Sequence, residues 1–231
     1  MKDRFRPVLR IIEPAEPKVL DLEDGMNILV PGGGTGITSE IIKGMSLKAK
    51  LKFHIIGRTQ ILDDVERLAS LDEDGLVQEK QKLRQELEKT IEKLTPPILD
   101  REFSKVTKSI TIHNILNDIK KNGSEVHYHS MDVSDVDGMG KIIKENGPFD
   151  GIIHAAGIEQ SKAVKSKKIE DFERVYNTKV MGAYGLLKAT VDHPLKFFIS
   201  FSSVAGRFGN AGQVDYSAAN DLLNKLYGAV R

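Results

Sequence analysis

Five short apolar segments, separated by helix-forming stretches, constrain the fold of this 231-residue chain more than any other feature. They cover residues 26–30, 52–57, 125–130, 149–155 and 196–202. Continuous apolar strands are typical of parallel sheets, because helices cover both faces of such a sheet. The alternation therefore predicts an α/β fold built on a doubly wound, Rossmann-like parallel sheet.

The connection between the second and third strands, residues 58–124, is much longer than a simple crossover. Within it, apolar residues recur at helical spacing in two stretches. We expect a helical insertion over about residues 60–122, with a break near Pro96. Two interpretations stay open: a contact surface for a second copy or a neighbouring domain, and a solvated helical hairpin lying on the domain. The apolar residues are Leu83, Leu87, Ile91 and Leu94, then Val106, Ile110, Ile115 and Ile119.

Charge and composition exclude several classes of function. The chain carries 34 basic and 33 acidic side chains, which gives no electrostatic reason to expect nucleic acid or a membrane as partner. It has no cysteine, so disulfides, thiolate zinc sites and cysteine nucleophiles are excluded, and no metal is expected. No apolar stretch approaches the ~18 residues of a membrane span, and the N-terminus is not typical of a signal peptide. We expect a cytoplasmic protein.

A glycine-rich turn follows the first strand and opens a helix. Glycines at this position let the backbone approach a pyrophosphate, and the helix N-terminus offers free N–H groups. Packing alone can also explain such a turn, but its place after the first core strand favours a dinucleotide. The candidate cofactor-binding residues of this turn are Gly32, Gly33, Gly34, Thr35, Gly36 and Ile37.

The ends of the next three strands supply further candidates. Arg58 and Thr59 follow the second strand with no acid immediately beside them, which favours the 2′-phosphate of NADPH over the ribose diol of NAD. Asp132 and Val133 follow the third strand, where the carboxylate either binds adenine or serves a helix cap. The small residues Ala155, Ala156 and Gly157 end the fourth strand and leave room for the nicotinamide ribose.

A serine and a tyrosine spaced 13 positions apart form the centre of the catalytic prediction. Ser203 and Tyr216 lie in FSSVAGRFGNAGQVDYSAAN, and Tyr216 is followed four residues later by Asn220 rather than by lysine. A lysine occurs upstream, in the segment Lys179-Val-Met-Gly-Ala. A positioned phenol can donate a proton, and a nearby ammonium makes it a better donor near neutral pH.

Together these motifs resemble the ketoreductase domains of polyketide and polyunsaturated fatty acid synthases, within the short-chain dehydrogenase/reductase superfamily. In those domains the lysine and asparagine are exchanged in sequence, which matches Lys179 and Asn220. The chain departs from the glycine pattern at Pro31 and Thr38. The resemblance implies a domain over residues 26–231 that binds NADP, with an N-terminal connector over residues 1–25.

The resemblance also implies roles and partners. Tyr216 would donate the proton, Ser203 would hold the keto oxygen, Lys179 would bind the nicotinamide ribose and support the phenol, and Asn220 would position Lys179 through water. Lys179 and Tyr216 are therefore also cofactor-binding candidates. The expected reaction is NADPH-dependent reduction of a β-ketoacyl thioester on an acyl carrier protein, beside neighbouring synthase domains.

The sequence also leaves one alternative function open and disfavours another. A non-catalytic scaffold that binds the nucleotide stays open, whereas an epimerase or dehydratase of the extended superfamily is disfavoured by Asn220. No motif reveals the configuration of the alcohol. We expect the last helix to begin near Ser217 and the C-terminus to be truncated, with a substrate lid beyond Arg231.

Overall fold

The computed structural model describes residues 19–229, and five strands form its centre. Most of the predicted N-terminal connector, residues 1–18, lies outside the described residues. All pairings in the sheet are parallel, and the strand order is β3-β2-β1-β4-β5. The prediction of a doubly wound parallel sheet is confirmed. The strands are β1 (Asn27–Pro31), β2 (Lys52–Gly57), β3 (Glu125–Ser130), β4 (Gly151–His154) and β5 (Phe197–Ser200).

Helices cover both faces of this sheet because the strand side chains alternate between two apolar layers. Ile28 and Val30 belong to one buried cluster together with Ile115 of the crossover to β3, while Leu29 belongs to a second cluster with Ile143. The helices are α1 (Gly36–Ser46), α2 (Val65–Ala69), α3 (Glu73–Thr90), α4 (Pro96–Lys121), α5 (Val136–Asn146), α6 (Ile169–Tyr176), α7 (Gly182–Ala189), α8 (Ala205–Phe208) and α9 (Val214–Ala229).

The long β2–β3 connection consists of α2, α3 and α4. Helix α3 has no buried residue, whereas the second half of α4 packs on the sheet through Ile112, Ile115 and Ile119. The second half of α4 is therefore the crossover helix, and the extra length lies mainly in α2 and α3. Among residues 19–229, none of the helices combines the length and apolar character that a bilayer crossing requires.

The last described helix begins at Val214, three residues before the predicted start at Ser217. The Asp215 carboxylate accepts a hydrogen bond from the Tyr216 backbone N–H at 2.9 Å. Satisfying a free N–H of the first turn favours an earlier helix start. The prediction was wrong at this boundary, and Tyr216 lies inside the first turn of α9.

Three imidazoles lie together on β2 and β3. His54 is fully buried and stacks on His127 and His129, with ring centroids 4.8 and 5.4 Å away. Burial, together with positive charge on these two neighbours, lowers the pKa of His54 to about 4. The folded protein therefore keeps His54 neutral at pH values where the unfolded chain already binds a proton.

We expect the free energy of unfolding to fall as the pH drops from about 6.5 to about 4, because only the unfolded state takes up this proton. A shift of this size corresponds to about 3 kcal/mol between pH 7 and pH 4. His54→Phe should flatten that part of the curve in urea unfolding measured at several pH values. His113→Gln, on α4 away from the stack, should retain the wild-type slope, and an equal slope in His54→Phe would contradict the assignment.

Candidate active site

A crevice of about 610 Å³ opens at the carboxyl ends of the strands, where the sheet order reverses between β1 and β4. In doubly wound sheets this switch point is the usual ligand site. Gly32 has φ +88°, and a Cβ there would lie 2.5 Å from the Ala156 backbone nitrogen. Glycine is therefore required where the two strand ends meet, and the glycine-rich turn lies against the end of β4.

Ten of the predicted cofactor-binding residues line this crevice. Gly33 does not, because it packs against its own strand: a Cβ there would lie 2.4 Å from the Val30 side chain. Gly36, Ile37, Lys179 and Tyr216 are also outside its lining. The ten lining residues are Gly32, Gly34, Thr35, Arg58, Thr59, Asp132, Val133, Ala155, Ala156 and Gly157.

Helix α4 contributes residues to the crevice that sequence reasoning missed. Lys105, Lys108 and Ile112 line it from one face of α4, at spacings of three and four residues. Ile112 also packs near Gly34, where a Cβ would lie 3.4 Å from its side chain. Arg58 faces the same space from the end of β2. The crevice thus has a cationic wall built from the end of β2 and from α4, and the helical spacing of Lys105, Lys108 and Ile112 was the available signal.

Asp132 and Thr59 have local partners at the crevice rim. The Asp132 carboxylate accepts hydrogen bonds from the Ser134 backbone N–H at 2.9 Å and hydroxyl at 2.7 Å. Burial raises the pKa of Asp132, but these bonds and the nearby Arg58 outweigh it, so the pKa is lowered. The Thr59 carbonyl accepts from the Tyr128 hydroxyl at 2.8 Å. The helix cap of α5 is Asp135, so Asp132 serves the preceding turn instead.

Lys179 lies in a π-helical turn, Asn177–Met181, between α6 and α7. Its side chain is buried, and its ammonium donates to the Phe201 carbonyl at 2.7 Å. Burial lowers the pKa of Lys179 to about 8. His154 of β4 holds the same turn through Nε2–H, which donates to the Lys179 carbonyl at 2.9 Å. Such turns in helices frequently occur at functional sites because they redirect one side chain.

The structure brings Lys179 to Tyr216. The ammonium nitrogen lies 5.6 Å from the centroid of the tyrosine ring, within the range of a cation–π contact. It also lies 3.4 Å from where a Cβ on Gly157 would be, which places it beside the crevice end. The two residues are 37 positions apart in sequence, and the packing of α6 and the π-helical turn on α9 brings them together.

Ser203 and Asn220, the other two predicted catalytic residues, each have local partners. The Ser203 hydroxyl oxygen accepts from the Ala205 N–H at 3.2 Å, which leaves its own O–H able to donate to a substrate oxygen. Asn220 is fully buried and donates to the Tyr216 carbonyl at 2.7 Å. Its Oδ1 accepts no hydrogen bond from the described residues. A buried acceptor of this kind suits a bridging water.

The residues of the crevice fit a dinucleotide. At the end of the first strand, Gly32 lacks a Cβ because the Ala156 backbone lies too close for one, and Thr35, the residue before α1, lines the same space. Arg58 and Lys108 offer positive charge for phosphate, whereas Lys105 pairs with Glu102. The crevice ends beside Lys179. Fold and crevice together define an α/β protein of the doubly wound, Rossmann-like class.

Comparisons with known proteins identify the family. The KR domain family matches residues 27–231, and the chain belongs to that family: it is a ketoreductase-type oxidoreductase. It is 30% identical over 227 residues to a polyunsaturated fatty acid synthase chain of a Thraustochytrium species, covering 93% of this chain and 8% of that protein. The predicted resemblance to synthase ketoreductase domains is confirmed.

Solved structures agree with this assignment. A ketoreductase domain from the bacillaene assembly line has a TM-score of 0.63 and 26% identity, with coverage of 93% of this chain and 43% of that one. A short-chain dehydrogenase from Mycobacterium paratuberculosis bound to NAD has a TM-score of 0.63 and 15% identity, covering 90% and 66%. The second likeness shows the shared fold. The chain spans less than half the length of the synthase and of the assembly-line ketoreductase that it matches.

Proposed function

We propose that this domain reduces a carrier-bound β-ketoacyl thioester to the β-hydroxyacyl thioester with NADPH. The observation that carries the proposal is the buried Lys179 ammonium beside the Tyr216 ring, at the end of a crevice with a cationic wall. NADPH would supply the hydride to the keto carbon. The chain's own residues then have to hold the keto oxygen and deliver a proton to it.

Each residue has a distinct part in this proposal. The Tyr216 hydroxyl delivers the proton, and the Lys179 ammonium stabilises the phenolate that remains. The Ser203 O–H donates to the keto oxygen and fixes its position. Asn220 Oδ1 accepts from a water that links it to Lys179. Because Lys179 is held by the Phe201 carbonyl, its charge is already in place before substrate binds.

The relatives support a synthase setting for the proposal. The matched synthase is far longer than this chain, so the carrier protein and the neighbouring domains are proposed partners. Residues 26–231 form the proposed NADP-binding unit, with residues 1–25 as its connector. Localisation in the cytoplasm stays a prediction.

The proposal is tested by measuring NADPH oxidation with a cyclic ketone and with a β-ketoacyl thioester of a short carrier mimic. We expect turnover with both substrates and tighter binding of NADPH than of NADH. NADPH binding without any turnover would favour the alternative function, a nucleotide-binding scaffold among synthase domains. Absence of both binding and turnover would overturn both functions for this chain.

The cationic wall makes a prediction about cofactor choice. Arg58→Ala and Lys108→Ala should each weaken NADPH binding about tenfold or more and leave NADH binding nearly unchanged, because each removes a charge from the proposed 2′-phosphate contact. Fluorescence titration with the two cofactors measures this. Lys120→Ala, on the same helix α4 outside the crevice lining, is the control. Equal losses for both cofactors would contradict the 2′-phosphate assignment.

A further inference from the structure

A buried ion pair lies directly before the proton donor. The Lys167 ammonium is 2.6 Å from Oδ2 of Asp215, and the two side chains are only 4% and 0% exposed. By contrast, the pair Lys225–Asp221 on the same helix α9 is solvent-exposed. Two charges this deep in a protein are unusual unless they are paired.

Both partners of the pair make a second, structural hydrogen bond. Oδ1 of Asp215 accepts from the Tyr216 backbone N–H at 2.9 Å, and the Lys167 ammonium donates to the Gln160 carbonyl at 2.8 Å. The pair therefore ties the first turn of α9 to the segment that follows β4. At the α9 end of this link, Asp215 holds the backbone of Tyr216.

Two further contacts join the same segments. The Gln213 side-chain amide donates to the Glu159 carboxylate at 2.9 Å, and the Lys162 backbone N–H donates to the Gly212 carbonyl at 2.9 Å. These contacts are at exposed or backbone positions, so the buried pair is the part of the link that water does not screen.

Stability alone is a poor explanation of the pair. Desolvating two charges costs several kcal/mol per ion, and apolar residues of similar volume often stabilise a fold as well or better. A carboxylate in the first turn of a helix is favoured by the helix dipole, but an exposed one would serve equally. What the buried pair adds is a fixed, directional connection between two segments, and one of them carries the phenol.

We propose that the Lys167–Asp215 ion pair is a positioning device for the proton donor, which fixes the start of α9 so that the Tyr216 hydroxyl reaches the keto oxygen. The inference rests on the proposed function of Tyr216. Lys167 and Asp215 are positioning residues, because they act through the backbone of Tyr216. Beyond the pair itself, the negative charge of Asp215 also acts on the nearby Glu159 carboxylate.

The test uses the double variant Lys167→Met/Asp215→Asn, which removes both charges and so avoids leaving one buried charge unpaired. We expect a melting temperature near that of the wild type, NADPH affinity within twofold, and kcat for ketone reduction lowered about 10- to 100-fold, as for a catalytic group displaced by about 1 Å. A folded double variant with wild-type kcat would overturn the proposal. Parallel losses of kcat, NADPH affinity and melting temperature would also overturn it, since they indicate general loosening.

Hydrogen exchange gives a readout that does not depend on activity. In the double variant, the peptide over residues 213–219 should exchange faster than in the wild type, because the acceptor of the Tyr216 N–H is no longer anchored. If the wild type itself shows no ketone turnover, the proposed function fails. Hydrogen exchange then still tests whether the ion pair fixes the start of α9. An exchange rate over residues 213–219 that is unchanged in the double variant overturns that claim.

Two other variants complete the design. Asp215→Glu alone keeps a carboxylate to pair with Lys167 but moves it by one methylene relative to the Tyr216 N–H. It should therefore fold and lower kcat by a smaller factor than the double variant, and wild-type kcat in this variant would overturn the proposal if the double variant does not fold. Asp221→Asn/Lys225→Met repeats the same substitutions in the exposed pair of α9. In this control, kcat, NADPH affinity and the exchange rate should stay within twofold of the wild type, and the melting temperature should stay close to it.

Discussion

Lys179→Met is expected to abolish most ketone reduction and to stabilise the fold at the same time. The activity falls because the ammonium that supports the phenolate is lost; roughly 4 kcal/mol of such support corresponds to about a thousandfold in rate. The stability rises because burial lowers the pKa of Lys179 to about 8, so the folded protein holds a poorly solvated charge at pH 7.

The sign of the stability change follows from proton linkage. The pKa of Lys179 is lower in the folded state than the ordinary 10.5, so between pH 8 and 10.5 only the unfolded chain retains the proton, and stability rises with pH in that window. Below pH 8 the penalty is fully present, at about 3 kcal/mol. The variant also loses the hydrogen bond from the charged ammonium to the Phe201 carbonyl, worth about 1.5 kcal/mol, which leaves a net gain of roughly 1–2 kcal/mol.

Thermal unfolding and steady-state assays measure the two effects. For a chain of this length, a gain of roughly 1–2 kcal/mol raises the melting temperature by about 2–8 °C. The stability of the variant should no longer rise between pH 8 and pH 10.5 as that of the wild type does. Lys188→Met, on α7 after the π-helical turn, is the control. Near-normal turnover in Lys179→Met would rule out the exchanged lysine and asparagine arrangement.

Tyr216→Phe should lower kcat by about 10²- to 10⁴-fold, the usual contribution of a positioned acid or base. Only the hydroxyl is removed, and the half-buried ring retains its packing beside Lys179. NADPH affinity and melting temperature should therefore stay close to the wild-type values. Tyr184→Phe, an exposed tyrosine on α7, is the matched control.

The outcome separates the reductase from the scaffold. A kcat that is unchanged by the loss of the Tyr216 hydroxyl would mean that another group delivers the proton. A loss of NADPH affinity as large as the loss of kcat would assign Tyr216 to cofactor binding alone. The reductase proposal requires a loss in kcat with binding retained.

The strands and the order of the site motifs follow from local properties of the sequence. Strand-forming segments of five to seven residues predict the sheet, and all five strands begin and end within two residues of their predicted positions. Gly32 was predictable as a turn residue because only glycine fits there: φ is +88°, and a Cβ would lie 2.5 Å from the Ala156 backbone nitrogen. The boundary of α9 was missed because the carboxylate of Asp215 satisfies the backbone within the first turn.

Residue patterns were sufficient to predict the parallel sheet and the glycine turn at its edge, and the roles of Lys179, Ser203, Tyr216 and Asn220 stay predictions. Three features became visible only in the folded chain: the π-helical turn that directs Lys179 onto the tyrosine ring, the lysines of α4 that form a wall of the crevice, and the meeting of Lys167 and Asp215 across 48 residues. These features depend on burial and charge pairing, which arise between segments distant in the chain. A local pattern reports how its own segment folds but carries no information about which distant side chain that segment meets.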